Sequence, residues 1–90
     1  MFSLKNKNIV VTGSLGLLGT EFTDSIAEYQ GNIILIDLDQ DKLDKQAKNI
    51  EKKYNIKCRG YSMDISVESD FKKKISKILK EFVKIHGLIN

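Results

Sequence analysis

One junction constrains the fold of this chain more than any other feature: a β-branched run that ends in a cluster of glycines. The run is Asn8-Ile9-Val10-Val11-Thr12, and glycines follow at positions 13, 16 and 19 in a Gly-x-x-Gly-x-x-Gly pattern. A short apolar run bounded by glycine predicts a buried strand that turns at once into the next element. The pattern therefore predicts a strand, a tight glycine turn and the start of a helix.

The helix that follows is predicted over about 17–30. Leu18, Phe22 and Ile26 recur every four residues and form its predicted buried face, and Gly31 suits the position just past its end. The next run, Ile33-Ile34-Leu35-Ile36, has no polar alternation. A strand without alternation is typical of a parallel sheet that is covered on both faces.

The same alternation of strand and helix continues to the end of the chain. A second helix is predicted over about Gln40–Tyr54, a third strand over 56–62, and a third helix that begins at an N-cap formed by Ser66. The third helix is predicted to end at Gly87 and to be followed by the start of a fourth strand at Leu88. Its predicted core-facing stripe is Phe71, Ile75, Ile78, Phe82 and Ile85. This order predicts an α/β fold, a Rossmann-type doubly wound parallel sheet with strand order 3-2-1-4.

Composition narrows the classes of function. The chain has 90 residues and a formal charge of +3, but its lysines are concentrated on the predicted third helix and Arg59 is its single arginine. A solvated helix face explains this charge better than a nucleic-acid surface does. No apolar run is long enough to span a membrane, and the single cysteine excludes an internal disulfide. We expect no nucleic-acid partner, no membrane partner and a cytoplasmic location.

The glycine turn predicts a dinucleotide site. The first glycine permits a tight turn, the second lets backbone approach a pyrophosphate, and Gly19 lets the helix pack against the strand. An ordinary strand-to-helix turn needs glycines too, so the acid at the end of the second strand matters. Asp37 follows Gly19 by 18 residues, where a carboxylate accepts hydrogen bonds from an adenosine ribose. An N-cap role for Asp37 is the alternative, and Asp39 could fill that role equally well.

Asp37 also favours NAD over NADP as the cofactor. A carboxylate repels the 2′-phosphate of NADP, whereas the 2′-hydroxyl of NAD can donate to it. No arginine follows the second strand, and Lys42 is interpreted as a solvated helix residue. Leu38, beside Asp37, is assigned to the same site.

With these residues the chain resembles the short-chain dehydrogenase/reductase family over its whole length. Four features match in order: Thr12-Gly13 with its glycine turn, Asp37, Asp64-Ile65 after the third strand, and Gly87-Leu88-Ile89-Asn90. The resemblance implies that Asp64 binds the adenine amino group, that the Ile65 backbone contacts the same ring, and that Asn90 closes over the adenosine. It implies a backbone lining for the pyrophosphate, formed by Gly13, Ser14, Gly16, Leu17, Leu18 and Gly19.

The chain combines features of two branches of the family. The middle glycine stands at position 16, which is similar to the extended branch, whose members often act on nucleotide sugars. The exit from the last helix is similar to the compact branch, with His86 where an acid is common. His86 is interpreted as a helix-end residue, and neither a metal site nor a catalytic histidine is expected.

The family's reaction is hydride transfer between a nicotinamide and an alcohol or carbonyl, assisted by a tyrosine and a lysine four residues later. The residues four positions after the three tyrosines are Ile33, Cys58 and Ile65, so this motif is absent and no catalytic residue is assigned. We therefore expect an incomplete domain, the cofactor-binding first third of an oxidoreductase, which is inactive alone and joins a homo-oligomer when full length. The alternatives are a non-enzymatic nucleotide-binding module and part of an NAD-dependent epimerase or dehydratase. The isolated chain is expected to be marginally stable or to self-associate, because its fourth strand is short.

Overall fold

Four parallel strands form one sheet in the order β3-β2-β1-β4, as the sequence predicts. The computed structural model describes residues 2–90. The strands are β1 (Asn8–Thr12), β2 (Asn32–Asp37), β3 (Cys58–Ser62) and β4 (Gly87–Ile89). The helices that connect them are α1 (Leu17–Glu28), α2 (Gln40–Tyr54) and α3 (Glu68–Phe82). Three strand–helix units followed by a fourth strand confirm the predicted α/β architecture.

The strand side chains alternate between two apolar layers, one on each face of the sheet. Ile9, Val11, Ile33 and Leu35 pack under α1 and α2, together with the buried faces of those helices. On the opposite face Val10, Ile34, Ile36, Tyr61 and Met63 pack against Ile78 and Phe82 of α3. Burial on both faces explains why the second strand has no polar residue between Ile33 and Ile36.

The predicted buried face of α1 is wrong. Leu18 is 65% exposed and Phe22 is 39% exposed, whereas the buried residues of this helix are Gly19, Thr23, Ile26 and Ala27. Small side chains allow α1 to lie close to β1 and β2, so the helix turns its small face rather than its large apolar face to the sheet. Of the three predicted core residues only Ile26 is buried.

The end of α1 also differs from the prediction. The helix stops at Glu28, and the left-handed residue is Gln30, with φ of 70°, rather than Gly31. Gly31 instead allows a close approach, because a Cβ at that position would lie 2.7 Å from Cγ2 of Ile26. The glycine is explained by packing and not by a helix-capping conformation.

Helix α2 matches its predicted bounds. Asp39 is its N-cap, and its carboxylate accepts a hydrogen bond from the amide of Lys42 at 3.1 Å. Leu43, Ala47 and Ile50 are buried as their spacing predicts. The capping role that the sequence left open between two acids therefore belongs to Asp39.

Both predicted ends of α3 are wrong. The N-cap is Val67, because Ser66 is held in a local turn in which its hydroxyl and amide both donate to Oδ1 of Asp64, at 2.6 and 3.0 Å. The helix ends at Phe82, five residues before Gly87, and in its predicted stripe Phe71 is exposed. His86 therefore lies outside the helix, in the connection to β4.

Candidate cofactor site

The glycine turn joins β1 to α1 at the carboxyl end of the sheet. Gly13 has a φ of +64°, a conformation that favours glycine, and its carbonyl accepts a hydrogen bond from the Gly16 amide at 3.0 Å. A Cβ on Gly19 would lie 2.1 Å from the Gly13 carbonyl oxygen and 2.8 Å from Cα of Ser14. The first turn of α1 is therefore packed directly on the glycine turn, as the sequence predicts for the third glycine.

Three backbone amides at the start of α1 are free to bind an anion. Gly16 is the N-cap and supplies no side-chain hydrogen bond, and the amides of Leu17, Leu18 and Gly19 have no acceptor within residues 2–90. Unsatisfied amides and the positive end of the helix dipole favour a phosphate group at this position. The apolar side chains of Leu17 and Leu18 are exposed on either side of these donors.

Ser14 lies in the turn, but its amide is not one of these free donors. That amide donates to the Ile36 carbonyl at 3.2 Å, and its side chain is fully buried and donates to Oε1 of Gln46 at 3.1 Å. Gln46 in turn donates through Nε2 to the Ser14 carbonyl at 2.8 Å. Ser14 thus fastens the turn to β2 and α2, and its predicted contact with the pyrophosphate stays a prediction.

Asp37 stands at the end of β2, beside the glycine turn. Its Oδ2 accepts a hydrogen bond from the Leu15 amide at 3.0 Å, and its Oδ1 accepts one from the Leu38 amide at 2.8 Å. Because Asp39 caps α2, Asp37 is not needed for that purpose. The two backbone donors fix its carboxylate at the carboxyl end of the strand while leaving lone pairs on both oxygens for further donors.

A groove of about 240 Å³ runs across the carboxyl ends of β1, β2 and β3. It contains five residues that the sequence assigned to the cofactor site: Gly13, Asp37, Leu38, Asp64 and Ile65. The other residues lining it are Thr12, Ile36 and Met63. The Ser66 hydroxyl and amide hold the pKa of Asp64 below its usual value, so this carboxylate is a charged acceptor at neutral pH.

Asn90 joins the site through Thr12. The Thr12 hydroxyl lies 3.3 Å from the Ile89 carbonyl and 3.2 Å from Oδ1 of Asn90, which places the end of β4 beside the groove. Sequence reasoning used Thr12 only as part of a motif and did not assign it to the site. Its position as the last residue of the central strand is the signal that could have identified it, since ligands of parallel sheets bind beyond the carboxyl ends of the strands.

The site thus combines a groove at the edge of a parallel sheet, free amides at a helix N-terminus and an acid after the second strand. The sequence that forms it matches a known family over most of its length. The sequence model described as short chain dehydrogenase matches residues 7–90. The chain belongs to this family. None of the helices within residues 2–90 has the length and hydropathy that a membrane-spanning segment requires.

Within the short chain dehydrogenase family, this chain is similar to several named proteins. It is 31% identical over 92 residues to an NADP-dependent mannitol dehydrogenase of Alternaria alternata, an alignment that covers 99% of this chain and 35% of the relative. Among solved structures, an NAD⁺-bound xylitol dehydrogenase is 25% identical with a TM-score of 0.86, and the match covers 94% of this chain and 32% of that one. An L-sorbose reductase of Gluconobacter frateurii shares the fold with a TM-score of 0.92 at 19% identity, over 99% of this chain and 34% of that one. The chain thus spans about a third of the length of these relatives.

Proposed function

We propose that residues 1–90 form the cofactor-binding part of an NAD-dependent dehydrogenase or reductase that acts on an alcohol or carbonyl substrate. The observation that carries the proposal is the arrangement of three free amides, at Leu17, Leu18 and Gly19, beside a groove that contains the carboxylate of Asp37. The amides suit a pyrophosphate and the carboxylate suits a ribose. Membership of the short chain dehydrogenase family supports the same assignment.

The pyrophosphate would bind at the first turn of α1. Gly16 has no side chain that could cover the free amides, and a phosphate oxygen can approach them from the open side of the turn. The exposed side chains of Leu17 and Leu18 would flank the phosphates and exclude water from one side of the site. Ser14 would contribute by holding the turn, through Ile36 and Gln46, rather than by donating its amide.

The adenosine would occupy the groove across β1, β2 and β3. Asp37 would accept hydrogen bonds from the ribose hydroxyls, and the charged Asp64 would accept from the adenine amino group. Leu38 and Ile65 are both exposed at the rim, 71% and 52% respectively, and offer apolar surface to the two faces of the base. Asn90, next to Thr12, would close the side of the site nearest β4.

The relatives that match the chain use both forms of the cofactor, so the preference for NAD is argued from Asp37. The mannitol dehydrogenase is named as NADP-dependent, whereas the xylitol dehydrogenase structure holds NAD⁺. A 2′-phosphate would approach the Asp37 carboxylate, and bringing two anions together costs several kcal/mol at a desolvated contact. Among residues 2–90, no basic side chain lines the groove to offset that repulsion.

The nicotinamide cofactor, when bound, would accept or supply the hydride. This chain would bind and orient the adenosine and pyrophosphate, and the proton-transfer residues would come from the rest of the protein, since none of the three tyrosines is followed by a lysine four residues later. The names of two relatives, a mannitol dehydrogenase and a xylitol dehydrogenase, support an alcohol or carbonyl of a polyol or sugar as the substrate class.

Calorimetric titration with NAD and with NADP tests the proposal. We expect NAD to bind the wild-type protein at least about tenfold more tightly than NADP, and Asp37→Asn to reduce that ratio to about twofold. The matched control is Asp41→Asn, which removes the same charge from the exposed first turn of α2, outside the groove, and should leave the ratio unchanged. Equal or tighter binding of NADP by the wild-type protein would overturn the preference, and failure of both cofactors to bind would overturn the site.

A further inference from the structure

A second groove, unrelated to the cofactor site, lies along the outer edge of β3. It has a volume of about 440 Å³ and is walled by α2 on one side and α3 on the other. Its floor is the backbone of β3, which is the outermost strand at this end of the sheet. No residue of this groove was assigned a function from the sequence.

The outward-facing backbone groups of β3 are nearly all occupied by side chains. Gln40 accepts from the Ser62 amide at 2.8 Å and donates to the Gly60 carbonyl at 2.9 Å, in the manner of a neighbouring strand. Glu51 accepts from the Cys58 amide at 3.0 Å, and Arg59 donates to the Cys58 carbonyl at 2.9 Å. These contacts close the edge to pairing with another strand.

One backbone donor in the middle of this edge remains free. The amide of Gly60 faces the same way as its carbonyl, away from β2, and it has no acceptor within residues 2–90. Beside it Tyr61 is 4% exposed, and its hydroxyl is a buried polar atom without a hydrogen-bond partner in the described part of the chain. Burial, and after it the neighbouring Glu81 carboxylate, raise the pKa of this hydroxyl, so it keeps its proton at neutral pH and is able to donate.

The charges in the groove leave cations without partners. Of its acids, Asp44 accepts from Gln40 at 2.8 Å, and Glu51 and Glu81 flank Arg59 at 2.5 and 3.6 Å. The lysines that line it, Lys48, Lys74 and Lys77, form no ion pair with any of residues 2–90. The groove thus combines three ammonium groups outside any ion pair with two neutral donors, and its four cationic side chains exceed its three acids by one charge.

We propose that this groove binds a phosphate monoester, with the phosphate held by Lys74, Lys77 and the Gly60 amide and with the Tyr61 hydroxyl as a further donor. Lysine ammonium groups and backbone N–H groups both donate to phosphate oxygens in proteins. The groove is larger than a phosphate ion alone requires, which favours an organic phosphate over the free ion. The groove lies at the outer edge of β3, two strands away from β1, and is independent of the proposed dinucleotide function.

Equilibrium dialysis of the full chain against radiolabelled glucose 6-phosphate and inorganic phosphate, at constant ionic strength, tests the site. We expect Lys74→Gln/Lys77→Gln to weaken binding of glucose 6-phosphate at least about tenfold and Tyr61→Phe to weaken it several-fold. The matched control is Lys73→Gln/Lys80→Gln, which removes two charges from exposed positions of α3 outside the groove and should change binding less than about twofold. Circular dichroism verifies that each variant is folded.

The experiment separates this site from the cofactor site by adding saturating NAD. If glucose 6-phosphate stays bound in the presence of NAD, and this binding depends on Lys74 and Lys77, the proposed site is supported. If NAD displaces glucose 6-phosphate, the phosphate binds at α1 and the proposal is overturned. Equal losses in the two lysine pairs would show unspecific attraction and would also overturn it. Tighter binding of glucose 6-phosphate than of inorganic phosphate identifies an organic phosphate as the ligand, whereas the reverse order overturns the monoester.

Discussion

Two glycines of the same turn differ sharply in how much space surrounds them. At Gly19 an added Cβ would lie 2.1 Å from backbone, whereas at Gly16 the nearest heavy atom would be at 3.4 Å, an ordinary contact. We expect Gly19→Ala to lower the free energy of unfolding by about 3 kcal/mol or more, because backbone atoms of the turn must move. Gly16→Ala, the matched control, should change it by less than about 1 kcal/mol. Urea denaturation measures both, and equal effects would contradict the packing described for α1.

Val83 occupies a conformation that β-branched residues rarely adopt. Its φ is 64° and its ψ is −45°, and the Lys84 amide donates to the Phe82 carbonyl at 2.6 Å, which closes a strained γ-turn after α3. The side chain is 82% exposed and contributes little packing. We therefore expect Val83→Gly to raise the free energy of unfolding by about 1 kcal/mol, since relief of strain exceeds the entropy cost of glycine. A lower denaturation midpoint for the variant would contradict this account.

At the scale of elements, the pairing of β1 with β4 depends on the protonation state of one histidine. Nδ1 of His86 accepts a hydrogen bond from the Asn8 amide at 2.9 Å, and the His86 amide donates to the Asn8 carbonyl at 2.8 Å. Partial desolvation and the nearby charges of Lys7 and Lys84 lower the pKa of His86 in the folded chain. The neutral form is therefore the one that the fold favours.

Because folding lowers the pKa of His86, the stability of the fold should decrease as the pH falls. A histidine whose pKa is lower in the folded than in the unfolded chain stabilises the fold fully above about pH 6.5, and that stability is lost as the pH falls below it. We expect the melting temperature to fall between pH 7.5 and 5.5, and His86→Gln to reduce that fall. His86 is the single histidine, so other groups contribute little in this window. A pH profile unchanged by the substitution would contradict the role of Nδ1.

How well each element could be predicted depends on whether its determinants are local. The bounds of α2 follow from Asp39, its apolar spacing and its charged ends, all of which are near in sequence. The end of α3 does not follow from nearby residues, because the side chain of Asn8 donates to the carbonyls of Phe82 and Lys84, at 2.9 and 2.8 Å. Contacts over that sequence separation leave no periodic signal.

The same distinction applies to the candidate site. The glycine pattern and the position of Asp37 predicted that Gly13 and Asp37 meet in the groove, because parallel strands bring their carboxyl ends to one edge, whereas Asp64 and Ile65 were assigned through the family resemblance. Two hydrogen bonds could not be predicted, because they depend on how the turn lies against β2. In one the Leu15 amide donates to the Asp37 carboxylate, and in the other the Ser14 amide donates to the Ile36 carbonyl. The buried face of α1 was mispredicted for a related reason, since a close approach through Gly19 and Thr23 outweighs the hydrophobic pattern.

At the scale of the whole molecule, the two edges of the sheet differ. Side chains of α2 and β3 cover the edge of β3, whereas β4 pairs with β1 over three residues and has no strand on its other side within residues 2–90. Leu88 on β4 is 60% exposed. An open apolar edge promotes pairing between chains.

We therefore expect a polypeptide of residues 1–90 to self-associate through β4. In analytical ultracentrifugation its mean mass should rise with concentration, and Leu88→Lys should lower that mass because a charge on an edge strand opposes pairing. The control is Leu79→Lys, an exposed leucine on α3, which should leave association unchanged. A monomer at all concentrations, or equal effects of the two substitutions, would contradict an association through this edge.

The central claim is that the glycine turn and the ends of β1, β2 and β3 form one nicotinamide dinucleotide site, and an amide-resolved NMR titration with NAD tests it most directly. We expect the amide signals of Leu17, Leu18 and Gly19 to shift together with those of Leu38 and Ile65, with a single dissociation constant. The Gly60 and Tyr61 signals, in the groove at the outer edge of β3, should remain unchanged. Shifts confined to β3 and α3, or no shifts at the start of α1 at saturating NAD, would contradict the account.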